Sequence, residues 1–157
     1  MRAGPGYMLL ALLAVLPLAP ASADDRYPPV ADAAVLLHCG SCHMPYQPAL
    51  LPVRSWSALL DGLPRHFGKS VVLDAATRQH IKTYFKARAA DAHWWGGRFM
   101  RGLRRDVTPL RITDTPYWRR KHSDAVSESA WRRPAVGSPA NCPVCHRRAA
   151  HGEYGDD

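Results

Sequence analysis

Cys39-Gly40-Ser41-Cys42-His43 and Cys142-Pro143-Val144-Cys145-His146 are the two stretches that decide the fold of this 157-residue chain. Each is a C-x-x-C-H motif, the attachment signature of a c-type haem. Two thiols at this spacing add to the two vinyl groups of one porphyrin from one face of a short helix, and the next histidine reaches the iron. The sequence therefore predicts two covalent haems, with His43 and His146 as proximal ligands. The predicted attachment residues are Cys39, Cys42, Cys142 and Cys145.

Other uses of paired cysteines fit the motifs less well. The pairs lie far apart, at residues 39–42 and 142–145, whereas zinc ribbons separate their pairs by about 15–20 residues. Disulfides and thioredoxin-like redox pairs need no histidine after each pair. Because the two motifs use all four cysteines of the chain, covalent haem is favoured over zinc and disulfides.

The N-terminus has the pattern of an export signal. Arg2 precedes an apolar run over residues 8–18, and Ala21-Ser22-Ala23 is a small-residue cleavage site. The run is shorter than the roughly 20 residues of a membrane-spanning helix. We therefore predict that residues 1–23 are a cleaved signal peptide and that the protein is periplasmic, with no permanent membrane span. An uncleaved anchoring tail is the alternative.

Length and composition predict a single domain over residues 24–157. With 14 prolines and 11 glycines, it should be a mostly α small c-type cytochrome, with short helices and long loops packed around the two haems. The first haem half would span about residues 24–90 and the second about 108–157. The formal net charge of +8 favours an acidic partner or an anionic membrane surface. Export argues against nucleic acid.

Capping residues and apolar spacing predict four helices before the second motif. Their candidate N-caps are Asp32, Ser55, Asp74, and Thr113 or Thr115. The second helix carries an apolar stripe at Trp56, Leu59, Leu60 and Leu63 and is expected to end near Gly68. The fourth is expected to end near His122. Residues 123–138 read as a polar loop, and the tail after Arg148 as frayed.

Six histidines remain as candidates for the distal side of the irons. His66 follows the first motif at a span that can fold back over its haem, and His122 ends the helix before the second motif. We predict these two as distal ligands. The alternatives are His38, His80, His93, His151 and, as a thioether ligand, Met100, with Met44 disfavoured by its place beside His43.

Several stretches together resemble one known family, the dihaem cytochromes c of phototrophic bacteria. They are Met44-Pro45-Tyr46 after the first motif, Ala49-Leu50-Leu51-Pro52, Ser55-Trp56 leading to His66-Phe67-Gly68, Arg111-Ile112-Thr113 leading to Thr115-Pro116 and His122, and Asn141 before the second motif. The resemblance implies two bis-histidine haems, with the distal ligands falling on His66 and His122. It also implies electron-transfer partners, namely an oxygen-binding monohaem cytochrome c and a membrane b-type cytochrome.

The sequence favours an electron carrier over an enzyme. A small dihaem peroxidase or a haem-based redox or gas sensor is the alternative, and the peroxidase would need an open iron position for hydrogen peroxide. Residues 93–111 are the most basic stretch, with arginines at 98, 101, 104, 105 and 111. We interpret it as a docking patch or as a segment between the haems.

Overall fold

The computed structural model describes residues 26–93 and 97–155. The predicted signal peptide, residues 1–23, lies outside the described residues. In the described part the chain forms five α-helices, α1 Ala33–Cys39, α2 Val53–Asp61, α3 Ala75–Arg88, α4 Pro116–His122 and α5 Glu128–Trp131. Single 3-10 turns lie at Pro48–Leu50, Leu63–Arg65, Arg98–Met100, Ile112–Asp114, Cys142–Val144 and Ala149–His151.

The first core joins α2 and α3 in the N-terminal half. Its buried members are Val30, Val35, Leu51, Trp56, Leu60, Leu63, Ile81, Phe85 and Ala89. The rings of Trp56 and Phe85 lie 4.3 Å apart between centres, and the Trp56 indole N–H donates to the Pro48 carbonyl at 2.7 Å. The apolar stripe predicted on α2 thus faces the core. A smaller second core consists of Leu50, Ala90, Phe99 and Tyr117.

Three predicted helix starts are confirmed, and one is wrong. Asp32, Asp74 and Thr115 cap α1, α3 and α4 through their side chains. Ser55, by contrast, is buried inside α2, which begins at Val53. The carboxylate of Asp91 accepts from the Val53 N–H at 2.7 Å, so an acceptor from beyond α3 caps this helix.

The predicted end of one helix and one predicted loop are also wrong. The helix α2 ends at Asp61 with Gly62 as its C-cap, and a 3-10 turn that contains Pro64 carries the chain to His66. Within the expected loop 123–138, Ser127 caps the short helix α5 by accepting from the Ala130 N–H.

The C-terminal tail is packed against the body of the protein rather than frayed. Gln47 is fully buried; its amide N–H donates to the Ala149 carbonyl at 2.8 Å, and its amide oxygen accepts from the Tyr154 hydroxyl at 2.5 Å. Gly152 has φ +79°, and a Cβ there would overlap the Tyr27 carbonyl. Partners remote in sequence therefore hold the tail. Among the described residues, no helix is long and apolar enough to cross a membrane.

Candidate haem sites

The first motif straddles the end of α1. Cys39 is the last residue of the helix, while Cys42 and His43 lie in the turn that follows. Gly40 is the C-cap of the helix, and only glycine fits there because a Cβ would clash with the Leu36 carbonyl oxygen. The expectation that both thiols share one helix is therefore not met, since the second thiol is carried by a turn.

The second motif begins with the 3-10 turn Cys142–Val144, which contains Pro143. The His146 N–H donates to the Cys142 carbonyl at 2.8 Å, which folds the motif back on itself. In each motif the first cysteine is partly buried and the second is exposed. Burial raises the pKa of the Cys142 thiol to about 11 and also raises that of Cys39.

The four thiols, all within the described residues, form no disulfide. Nor does any group of three His, Cys, Asp or Glu side chains in residues 26–93 and 97–155 come together in a way that could hold a metal ion. The geometry therefore gives no support to a zinc site or to disulfide pairs.

The structure brings His66 next to His43. Their ring centres lie 6.2 Å apart, with 26° between the ring planes. The Nδ1–H of His43 donates to the Met44 carbonyl at 2.8 Å, which leaves Nε2 of His43 free to bind another group. Burial, with a smaller contribution from His43, lowers the pKa of His66 and favours a neutral imidazole.

Phe67 next to His66 has a costly backbone conformation. Its φ of +47° lies in the left-handed region that bulky residues avoid. The Phe67 ring packs edge-on to His66 at 4.9 Å between centres. The guanidinium carbon of Arg111 sits 4.1 Å from the Phe67 ring centre. Residues far along the chain thus support the turn that presents His66.

The structure also brings His122 next to His146. Their ring centres lie 6.1 Å apart, and their planes cross at 86°. His122 is the last residue of α4, and its Nδ1–H donates to the Trp118 carbonyl at 2.8 Å. Its ring stacks on Trp118 at 4.2 Å and 14°. Burial lowers the pKa of His122, against the opposing effect of the Trp118 carbonyl.

The family profile described as dihaem cytochrome c matches residues 35–154. The chain belongs to the dihaem cytochrome c family.

Solved structures of dihaem cytochromes agree with this assignment. A diheme cytochrome c from Rhodobacter sphaeroides is 43% identical over 81% of this chain and 99% of its own, with a TM-score of 0.76. A second structure of the Rhodobacter sphaeroides protein is 41% identical over 80% and 98%, with a TM-score of 0.67. A diheme cytochrome c from Shewanella baltica is 31% identical over 76% and 84%, with a TM-score of 0.61. Among curated proteins, none matches significantly.

As a dihaem cytochrome c, the protein is a haem redox protein with two covalently bound c-type haems. The predicted family, cofactors and mostly α fold are confirmed.

The alternative candidates for distal ligands have different neighbours in this dihaem cytochrome. His80 bonds to the Asp32 carboxylate at 2.8 Å, between α3 and the N-terminus of α1. Met100 packs against the second core. His38, His93 and His151 are exposed.

Sequence reasoning missed the aromatic side chains around the paired histidines. An open groove of about 360 Å³ lies beside His122 and is walled by Trp118, Val126 and Trp131. Tyr46 stacks on His43 at 5.0 Å and 28°, and Tyr154 lies 5.6 Å from His146. Trp131 sits in a stretch expected to be a loop, and the contact of Tyr154 depends on the packed tail, so no local signal identifies either one.

Proposed function

We propose that this dihaem cytochrome is a periplasmic electron carrier in which two histidines close each haem iron. His43 and His66 hold the first iron, and His146 and His122 the second. Cys39 and Cys42 bind the first porphyrin, and Cys142 and Cys145 the second. The haems, when bound, supply the one-electron Fe(III)/Fe(II) couple.

The spacing of the two histidine pairs is the observation that carries the proposal. A metal–imidazole bond is about 2.0 Å long, and in a five-membered ring with bonds of about 1.33 Å each atom lies about 1.1 Å from the centre. Two imidazoles on opposite sides of one iron should therefore have ring centres about 6.2 Å apart. The pairs in this structure measure 6.2 Å and 6.1 Å.

Short hydrogen bonds at Nδ1 assign the tautomer of two of the four rings, and a longer contact favours the same tautomer for a third. His43 donates to the Met44 carbonyl and His122 to the Trp118 carbonyl, both at 2.8 Å, while His146 lies 3.5 Å from the Gly155 carbonyl. A histidine that donates through Nδ1 presents the lone pair of Nε2 to a metal, and this partner is the usual support of a metal-bound histidine. The same bonds limit rotation of the rings.

Irons with no free coordination position favour an electron carrier over a peroxidase or a gas sensor. An enzyme that binds peroxide, or a sensor that binds a gas, needs one free or displaceable position on iron. Here each proximal histidine has a second histidine at ligand spacing. A carrier needs no open position, because electrons pass through the porphyrin edge.

Absorption spectra of single variants test the ligand pairs. We expect the holoprotein to be low spin at both haems and not to bind carbon monoxide or cyanide at neutral pH. His66→Ala and His122→Ala should each make one haem high spin and open it to carbon monoxide. His80→Ala is the matched control, because His80 pairs with Asp32, and it should leave both haems low spin.

Two results would contradict the carrier proposal. One is rapid carbon monoxide binding by the reduced wild-type protein. The other is turnover of peroxide with a small electron donor, which would favour the enzyme.

The attachment and export assignments have their own test. Mass spectrometry of the exported protein should give a chain that begins at Asp24 and carries two haems. Cys42→Ser and Cys145→Ser should each weaken the covalent link to one haem only. A mass that retains residues 1–23 would contradict the signal peptide, and cell fractionation would then locate the protein.

A further inference from the structure

Tyr46 contacts both haem segments at once. Its ring stacks on His43, with 5.0 Å between centres and 28° between planes. Its hydroxyl donates to the carbonyl oxygen of Ala140 at 2.8 Å, a residue 94 positions along the chain. The same carbonyl accepts from the Cys142 N–H at 2.9 Å. One side chain therefore links the histidine of the first motif to the first cysteine of the second.

The surroundings of Tyr46 suit a link rather than a surface contact. Tyr46 is partly buried and packs against both the first and the second core. The hydrogen bond from its hydroxyl to the Ala140 carbonyl is itself part-buried.

The neighbouring residue, Gln47, also connects the loop after the first motif to the segment that carries the second motif. Gln47 is fully buried and accepts from the Tyr154 hydroxyl at 2.5 Å, and Tyr154 packs against His146. Adjacent residues of the first haem loop thus reach both ends of the segment that carries the second motif. The contacts of Gln47 hold the tail, whereas Tyr46 touches the His43 ring itself.

We propose that Tyr46 is a positioning residue that sets the orientation of the His43 ring and takes its own orientation from the second haem segment. This inference rests on the proposed role of His43 as an axial ligand. The Met44 carbonyl fixes one edge of the His43 ring, and Tyr46 holds its face. The orientation of the His43 ring would then depend on the segment that carries the second motif.

Two substitutions separate the parts of this link. Tyr46→Phe keeps the aromatic ring but removes the bond to Ala140, whereas Tyr46→Leu also removes the stack on His43. The matched control is Tyr84→Phe, which likewise removes one hydroxyl, here the acceptor of the Ala31 N–H at 3.3 Å. Tyr84 packs on the first core, and the hydrogen bond that the variant loses comes from Ala31, which lies outside both motifs.

Nuclear magnetic resonance of the ferric holoprotein provides the readout. The shifts of the haem methyl groups depend on the orientation of the axial imidazole planes. Tyr46→Phe should shift the methyl signals of the first haem and Tyr46→Leu should shift them further, while Tyr84→Phe leaves them in place. All three should keep two covalent haems by mass.

The outcomes are distinct from those of the carrier proposal. Unchanged first-haem signals in Tyr46→Phe, or equal shifts in Tyr84→Phe, would overturn the positioning role while leaving the ligand pairs intact. A wild-type protein whose first haem is high spin would overturn the His43–His66 pair and this inference with it.

Discussion

The imidazole rings of His122 and His146 cross at 86° with 6.1 Å between their centres. The rings of His43 and His66 have nearly the same spacing, 6.2 Å, but lie only 26° from parallel. An imidazole donates π electrons perpendicular to its plane. Near-parallel rings therefore act on one iron d orbital, whereas crossed rings act on two different ones and leave them close in energy.

Electron paramagnetic resonance should distinguish the two haems on this basis. We expect a rhombic low-spin signal from the His43–His66 haem. The His122–His146 haem should give a strongly anisotropic signal with a higher largest g value. His66→Ala should remove the first signal and His122→Ala the second. Two identical rhombic signals in the wild-type protein would contradict the ring angles.

Asp91 should stabilise the protein through its cap on α2. Its carboxylate accepts from the Val53 N–H at 2.7 Å and lies 3.8 Å from the Arg54 guanidinium. Loss of a side-chain N-cap costs about 1 kcal/mol, so Asp91→Ala should lower the melting temperature by roughly 4 °C. Asp91→Asn keeps an acceptor and should lower it less.

Asp61→Ala is the control for this measurement. It removes an exposed ion pair with Lys82, and such pairs contribute little to stability. Thermal unfolding followed by far-ultraviolet circular dichroism compares the variants. Equal melting temperatures for Asp91→Ala and Asp61→Ala would mean that Asp91 does not cap α2.

These caps mark the limit of what local sequence predicts. Asp32, Asp74 and Thr115 cap helices that start within three residues of them, and their pattern was sufficient. The true cap of α2 lies 38 residues from Val53, and no spacing rule connects the two. Ser55 had the right residue type but is buried in the helix instead.

The paired histidines show the same division between local and distant signals. The motifs identify His43 and His146 without a structure, because five adjacent residues carry the chemistry. The structure places the rings of His66 and His122 about 6 Å from them, although α2 ends at Asp61 and a 3-10 turn, not the predicted helix, carries His66. The contacts of Tyr46 with Ala140 and of Gln47 with Tyr154 span 94 and 107 positions, so only tertiary structure reveals them.

Asp32 should make the stability of the protein sensitive to acid. Burial alone would raise the pKa of Asp32, but bonds from the Val35 and Ala34 N–H groups and from His80 outweigh it, so the pKa lies below its usual 3.8. A carboxyl with a lowered folded-state pKa adds stability above its unfolded pKa, and this is lost as pH falls through the folded value. The loss should therefore begin as the pH drops below about 4.

A pair of substitutions isolates this effect. Asn is a good N-cap without a charge, so Asp32→Asn should retain α1 near neutral pH and show a shallower loss of stability in acid. Asp32→Ala should be less stable already at neutral pH. Unfolding by guanidinium at several pH values measures both. An acid limb of unchanged slope in Asp32→Asn would assign the acid sensitivity to other carboxyls.

The basic stretch reaches the first haem site through Arg111. The Arg111 guanidinium covers Phe67, which packs on His66, and Arg101 and Arg105 are exposed along the same stretch. Arg54 fixes the backbone here by donating to the carbonyls of residues 104 and 107. An acidic redox partner that docks at the Arg111 end of this stretch would lie beside Phe67 and His66.

Stopped-flow reduction by an acidic c-type cytochrome tests this surface. Opposite charges steer association, and salt screens them, so the rate should fall as ionic strength rises. Arg101→Gln with Arg105→Gln should lower both the rate at low salt and its dependence on salt. The matched control is Arg78→Gln with Lys86→Gln, which removes the same charge from the exposed face of α3. Since both pairs reduce the net charge equally, only a local docking site makes their effects differ, and equal effects would mean that net charge alone steers the partner.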